Sequence, residues 1–287
     1  MRRFLITGGT GFFGQSIRDY VLRTAYDCSI SVLSRHRGDI VGDVRTFDVG
    51  TARFDCVIHA ATPVAEAVPE AEMRSIVVEG TANALRQAKK CGAEKFMMVS
   101  SGGVYGRDLV RPASETDVPR PVTAYGQAKL EAEAMAVASG LHVLLPRCFA
   151  FVGKRLPRDA HFAVGNFIRD ALTGKDIVIR GDGTPMRSFL YADDLVEWLF
   201  AILERGESGR VYNVGSDEAI SIRDLAMLVR DVLGSSSEVK VLGQAVAGAA
   251  NYYVPNVDRI RAELGVAVKT PLAEAIRLSV SREEGAS

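Results

Sequence analysis

The chain opens with a short apolar run, Arg3-Phe4-Leu5-Ile6-Thr7, that breaks into Gly8-Gly9-Thr10-Gly11-Phe12-Phe13-Gly14 and then into residues of helical character, Gln15 to Thr24. An apolar run of this kind reads as a buried strand, and the spaced glycines read as a tight turn that delivers the chain into a helix. Glycines let a backbone approach a bound group closely. The helix N-terminus adds unpaired N–H groups and a partial positive charge. A strand, a glycine turn and a helix in this order are the setting of a dinucleotide pyrophosphate cradle, and the first unit of a parallel α/β sheet. Gly8, Thr10, Gly11, Phe12, Phe13 and Gly14 are therefore predicted at the cofactor.

The rest of the first half alternates in the same way. Cys28 to Leu33, Asp55 to Ala61, Lys95 to Ser101 and Leu141 to Leu145 read as strands. Glu72 to Cys91, stopped by Gly92, and Thr123 to Ser139, stopped by Gly140, read as helices. This alternation predicts an α/β chain: a Rossmann-type doubly wound parallel sheet over residues 1–150. The regularity ends after Phe151. Lys154 to Phe162 reads as a loop, Gly181-Asp182-Gly183-Thr184-Pro185 as a turn, and Asp193 to Glu204 and Ile222 to Leu233 as amphipathic helices. Gly234 to Ser237 reads as a loop, and the tail after Arg282 as frayed. Residues 151–287 are expected to form mainly a smaller substrate-binding lobe, with segments near 188–214 returning to the main sheet. The irregular stretches 151–190 and 240–256 are expected to shape the substrate pocket, where Tyr252 and Tyr253 either stack on a base or fill the core.

Composition narrows the partners. Lys plus Arg and Asp plus Glu both number 35, so no net charge draws the chain to nucleic acid or an anionic membrane. No apolar stretch approaches the ~18 residues of a membrane span. The first strand starts at the N-terminus and leaves no room for a signal peptide, so a cytoplasmic location is expected. Cys28, Cys56, Cys91 and Cys148 are scattered and read as free thiols, and the four histidines are dispersed, so no metal site is expected.

At the end of the second strand an NAD site places Asp or Glu against the ribose hydroxyls. This chain has Ser34-Arg35-His36-Arg37 there. Ser34, Arg35 and Arg37 suit a phosphate through charge-assisted contacts, so NADP(H) is favoured, with NAD(H) the alternative. A solvated basic loop is the plainer reading of the same residues.

Tyr125 and Lys129 stand four residues apart, on one face of the predicted helix. A neighbouring ammonium favours phenolate and is expected to lower the tyrosine pKa toward working pH. Lys129 is also placed to reach a nicotinamide ribose. Ser101 ends a strand on the side where α/β sheets bind ligands. Ser101, Tyr125 and Lys129 are the candidate catalytic groups, with Tyr125 and Lys129 also at the cofactor.

With these residues in hand, the chain resembles the extended short-chain dehydrogenase/reductases, the NAD-dependent epimerase/dehydratase family that acts on nucleotide sugars. The resemblance spans nearly the whole chain. It rests on the Gly8-x-x-Gly11-x-x-Gly14 spacing, His59-Ala60-Ala61, Ser100 to Gly106, Tyr125 to Lys129, Arg187 to Asp194 and Tyr212-Asn213-Val214-Gly215. It implies that Ser101, Tyr125 and Lys129 form the catalytic triad, and that Ala60 and Ala61 line the cofactor. It implies too that Asp48-Val49 contacts the adenine and that Arg187 grips a substrate diphosphate. Ser101 and Tyr191 complete the implied substrate set. Homodimers formed through the Tyr125 helix are implied as well.

The departures narrow the reaction. Where family 4,6-dehydratases carry an Asp-Glu pair after the serine, this chain has Gly102-Gly103, which argues against dehydration. Ser34-Arg35 argues against a trapped NAD. Ala150 and Val77 stand where the family often has asparagines at the substrate. The leading expectation is an NAD(P)H-dependent reductase of a nucleotide-activated 4-keto-6-deoxy sugar. An epimerase with tightly bound NAD is the alternative, and a redox-sensing binding protein or a reductase of a non-sugar carbonyl is less favoured.

Overall fold

In β1 (Arg2–Thr7), Phe4 and Ile6 pack with one core and Leu5 with another, and all three are buried. A strand covered on both faces must be apolar on both, which is why it reads as an uninterrupted run. The computed structural model describes residues 1–63, 68–107, 109–160, 162–244 and 251–281. Among these residues, β2 (Cys28–Ser34) and β3 (Ile40–Val41) lie on one side of β1. On the other side follow β4 (Cys56–His59), β5 (Lys95–Met98), β7 (His142–Cys148) and β12 (Val211–Val214), and β6 (Ser100–Ser101) pairs with β7. All of these pairings are parallel. The chain moves outward from β1 to β3 and then crosses back to β4. Strand order reverses between β1 and β4, and a ligand crevice opens beyond their carboxyl ends.

Helices α1 (Phe12–Thr24) and α5 (Ala192–Arg205) cover one face through Ile17, Val21, Leu195, Leu199 and Ile202. Helices α2 (Glu70–Cys91) and α3 (Ala124–Val137) cover the other through Val77, Ala84, Ala88 and the alanines 128, 132 and 136. These three alanines form one row of α3, so the helix lies close against its neighbours. The adjacent row carries Tyr125, Lys129 and Glu133.

A third core gathers α4 (Ala163–Leu172), α6 (Ile222–Val232) and α8 (Leu272–Val280) around Phe167, Ile168, Leu225, Val229 and Ile276. Three small sheets join it: β8 (Phe151–Val152) with β11 (Leu190–Tyr191), β9 (Ile177–Ile179) with β14 (Val239–Val241), and β10 (Met186–Arg187) between β13 (Ile220–Ser221) and β15 (Tyr252–Tyr253). Helix α7 (Asp258–Leu264) packs Ile260 and Leu264 into the first core. No helix among the described residues is long and apolar enough to cross a membrane.

Two local expectations need correction. The strand read as Leu141 to Leu145 continues through Pro146 and Arg147 to Cys148. The proline fits because the ladder is interrupted there on the side of β5 and β6: Met97 pairs with Leu144 and Ser100 with Arg147, while Pro146 itself pairs with Tyr212 of β12. The stretch 151–190, read as irregular, contains α4 and β9, both held by the third core. The expected frayed tail after Arg282 lies outside the described residues, as do residues 245–250 of the expected pocket segment.

Candidate active site

Gly8 has φ +73°, and a Cβ there would stand 2.7 Å from the Ala61 Cα. A Cβ at Gly14 would stand 2.2 Å from the Gly9 Cα, so that glycine lets α1 close onto the turn. The turn faces a cavity of about 760 Å³ lined by Gly8, Thr10, Gly11, Phe12 and Phe13. Gly14 does not line it; its part is packing. No side chain caps α1 and no acid sits in its first turn among the described residues, so its N–H groups stay available to an anion.

Ser34 and Arg35 line the same cavity, and Arg37 does not. The Ser34 hydroxyl accepts from the Arg37 and His36 N–H groups at 3.2 and 3.4 Å and donates to the Arg37 carbonyl at 2.6 Å. It braces the loop that presents Arg35. The Asp48-Val49 expectation is corrected. Asp48 pairs at the surface with Lys90, and the Val49 N–H is held by Gln87 at 3.1 Å. The residues that line the cavity are Asp43 and Val44, just past β3. Two hydrogen bonds from Arg45, at 2.8 and 2.6 Å, hold the Asp43 carboxyl below the usual carboxylate range. Ala60, Ala61 and Thr62 close this wall.

Ser101, Tyr125 and Lys129 meet in the same cavity. Thr123 starts α3 by accepting the Gly126 N–H at 3.1 Å, which sets the turn carrying Tyr125. The Lys129 ammonium donates to Thr62 Oγ1 and to the Val99 carbonyl, both at 2.8 Å. It lies 5.9 Å from the centre of the Tyr125 ring. Lys129 is 3% exposed, and burial pulls its pKa down to about 8. The expected lowering of the Tyr125 pKa is corrected as well: burial pushes the phenol up to about 12, and a bond with Ser101 only partly offsets it. Ser101 Oγ accepts the Gly103 N–H at 3.1 Å. A Cβ at Gly102 would fall 2.7 Å from the Phe149 ring, and one at Gly103 would stand 3.3 Å from Ser101 Oγ.

Arg187 sits where this cavity adjoins a second one of about 620 Å³, which also takes in Arg169, Asp170 and Arg180. Its guanidinium donates to the Met186 and Asn251 carbonyls at 2.8 and 3.1 Å. Among the described residues it has no carboxylate partner, and burial lowers its pKa. Tyr191 is a further correction. Pairing of β11 with β8 commits it to the third core, and it lines neither cavity.

Asp43, Val44, Thr62, Phe149 and Tyr253 also line the cavity. Thr62 follows Ala60-Ala61 directly and was readable from that position. Tyr253, left open between base stacking and core, is brought here by the pairing of β15 with β10 and packs at a tilt against Phe149, ring centres 4.8 Å apart. His59 plays a different part. Thr7 and Thr81 bind its two ring nitrogens at 2.8 and 3.1 Å, and burial holds its pKa down to about 3, so it is a neutral strut. Beneath Ser101 and Lys129, Glu133 receives Arg147 through two hydrogen bonds of 3.0 and 2.7 Å, and it also binds Ser100.

The model of the NAD dependent epimerase/dehydratase family matches residues 4–215. UDP-glucuronic acid decarboxylase 1 of Xenopus tropicalis is 28% identical over 97% of this chain and 71% of its own. UDP-glucose 4-epimerase of Thermotoga maritima, solved with UDP-glucose, has the same fold at TM-score 0.85 and 24% identity, covering 97% of both chains. RMD of Pseudomonas aeruginosa, solved with NADPH, does so at TM-score 0.83 and 24% identity over 98% of both. The relatives and neighbouring structures include nucleotide-sugar decarboxylases, 4,6-dehydratases and epimerases, and several of the neighbouring structures carry NAD or NADPH.

Proposed function

The chain belongs to the NAD dependent epimerase/dehydratase family, and we propose that within it the protein is an NADPH-dependent reductase of a nucleotide-activated 4-keto-6-deoxy sugar. One observation carries the choice of reaction. Gly102 and Gly103 place no side chain beside Ser101, and Phe149 occupies the space into which a side chain at 102 would project. Water elimination needs a second acid and base next to the reacting carbons. Carbonyl reduction needs one proton donor, and Tyr125 supplies it.

A reduced nicotinamide cofactor would be held through its pyrophosphate by the glycine turn and would supply the hydride. Tyr125, its phenol protonated through the neutral range, gives its proton to the substrate oxygen. Ser101 donates a hydrogen bond to that oxygen. Lys129 spends two of its three N–H bonds on Thr62 and Val99. The third is left for a ribose hydroxyl, and its charge favours the phenolate that the transfer leaves. Ser34 and Arg35 at the adenosine end, with no acid closing β2, support NADPH over NADH. Arg187 between the two cavities suits a diphosphate, which its planar fork can bind through two oxygens. Pairing of two copies through α3 belongs to the same reading; Val122 and Val137, at either end of that helix, are exposed.

The test is NADPH oxidation with dTDP-, GDP-, CDP- and UDP-4-keto-6-deoxy sugars in turn. Turnover with one of them is expected and names the nucleotide. Silence with all four, together with NAD released on heating the purified protein, would replace this reading with the epimerase.

A further inference from the structure

Three hydroxyls converge at the reacting end of the cavity, and the reduction described above uses two. The third belongs to Tyr253. Its oxygen lies 3.5 Å from Ser101 Oγ, and its ring packs at a tilt against Phe149. Burial pushes its pKa above the ordinary phenol value, so it stays a hydrogen-bond donor through the neutral range. Tyr253 is also the register partner of Arg187 across β10 and β15, and the Arg187 guanidinium stands over its ring at 5.8 Å. Whatever positions Arg187 therefore positions Tyr253. The arrangement depends on Gly102: with no side chain there, Phe149 takes up that space, and Tyr253 packs on Phe149.

We infer that Tyr253 is a further substrate-contacting residue, whose hydroxyl joins Ser101 in holding the sugar oxygen that Tyr125 protonates. The inference rests on the nucleotide-sugar reading of the site. No bond is made or broken at Tyr253; it donates a hydrogen bond that strengthens as charge develops on the oxygen. Because Arg187 and Tyr253 share one strand pair, an anion held at Arg187 fixes the donor at the other end of the same ligand. Binding energy from the part of the substrate that does not react is thereby spent on orienting the part that does.

The test is Tyr253→Phe, which keeps the ring packing and the backbone pairing and removes only the hydroxyl. With the keto sugar that the wild type reduces, kcat is expected to fall about 100-fold, as for loss of one oxyanion donor. NADPH affinity should stay within threefold of wild type, and any rise in KM should be smaller than the fall in kcat. A kcat within threefold of wild type, or a change confined to KM, overturns the inference. A second measurement needs no turnover. Calorimetric affinities for UDP-glucose and UDP, or for the corresponding dTDP, GDP or CDP pair that binds, are compared in both proteins. The variant should weaken binding of the sugar form and leave the bare diphosphate unchanged. Equal effects on both, or none, also overturn it. If none of the four nucleotides binds the wild type, the nucleotide-sugar reading itself falls and takes this inference with it. Binding without any reduction would remove the reductase reading alone, and the calorimetric comparison would still decide Tyr253.

Discussion

Glu133 and Arg147 are each 6% exposed at the side chain, and they form the most deeply buried ion pair among the described residues. Glu133→Gln keeps the shape and removes the charge. Arg147 then remains cationic in the core, facing only the Tyr105 ring, 4.8 Å away, and an amide oxygen. An uncompensated charge of this kind costs about 3–5 kcal/mol. Ser100 also exchanges an ionised acceptor for a neutral one, worth roughly another 1 kcal/mol. Against a typical total of about 5–15 kcal/mol, the variant should lose roughly a quarter or more of its stability. The assay is urea unfolding followed by fluorescence of Trp198, the single tryptophan, which is 1% exposed with its indole N–H on the Ala267 carbonyl. The midpoint should fall with an unchanged slope. Replacing both partners, as Glu133→Leu with Arg147→Met, removes the charge altogether and should recover most of the loss. A loss below about 1 kcal/mol in the single variant would refute the reasoning. So would a double variant no better than the single, because the cost would then not come from an unpaired charge.

Four further outcomes are expected. Tyr125→Phe should reduce turnover below a hundredth of wild type and leave NADPH affinity unchanged; retention above a tenth, measured by the same NADPH assay, would remove Tyr125 as the proton donor. Lys129→Met should alter the pH dependence of stability. Burial holds the folded pKa of Lys129 at about 8, below the ordinary lysine value of 10.5, so between those values the unfolded chain binds a proton that the folded one has released. Wild type should therefore gain roughly 2 kcal/mol relative to the variant between pH 8 and pH 10 in urea unfolding, and no gain would contradict the buried charge. Gly14→Ala should destabilise the fold and abolish cofactor binding by fluorescence titration, because its Cβ would meet the Gly9 backbone at 2.2 Å; an unimpaired variant would show that the turn yields. Arg35→Ala should cut the NADPH-over-NADH affinity ratio about tenfold, and an unchanged ratio would place the discrimination elsewhere.

What could be read in the sequence follows how locally each feature is determined. The β1 turn was legible because strand, glycines and helix are contiguous, and Gly14 answers a clash with Gly9 inside that unit. Tyr125 and Lys129 were legible because four residues on a helix share a face whatever surrounds it. The adenosine wall was ambiguous for a definite reason: Asp43-Val44 and Asp48-Val49 are the same dipeptide five residues apart, and only the path of the chain after β3 decides which lines the cavity. Tyr191 could not be placed from its neighbour Arg187, because β10 and β11 join different small sheets and lead the two side chains apart. Tyr253 was the least legible. Its place depends on pairing with a strand far away in sequence, and two-residue strands carry no periodicity to read.

The two buried cations of α3 and β7 show why a charged row belongs in this core. Arg147 is fully matched: a carboxylate in front and an aromatic ring behind hold its pKa above the ordinary guanidinium value. Lys129 is not matched. Its partners are a hydroxyl and a carbonyl, and the nearest acid on its own helix, Glu133, is committed to Arg147. Had Glu133 been free to pair with Lys129, the ammonium would be cheaper to bury, but it would be drawn one turn away from Tyr125. By occupying Glu133, Arg147 keeps Lys129 beside the phenol with one N–H unspent. The fold thus accepts a less stable lysine at the place where a ligand can complete it, and ligand binding should return part of that stability. A rise in the unfolding midpoint on saturation with NADPH that is smaller in Lys129→Met than in wild type is the outcome this argument requires.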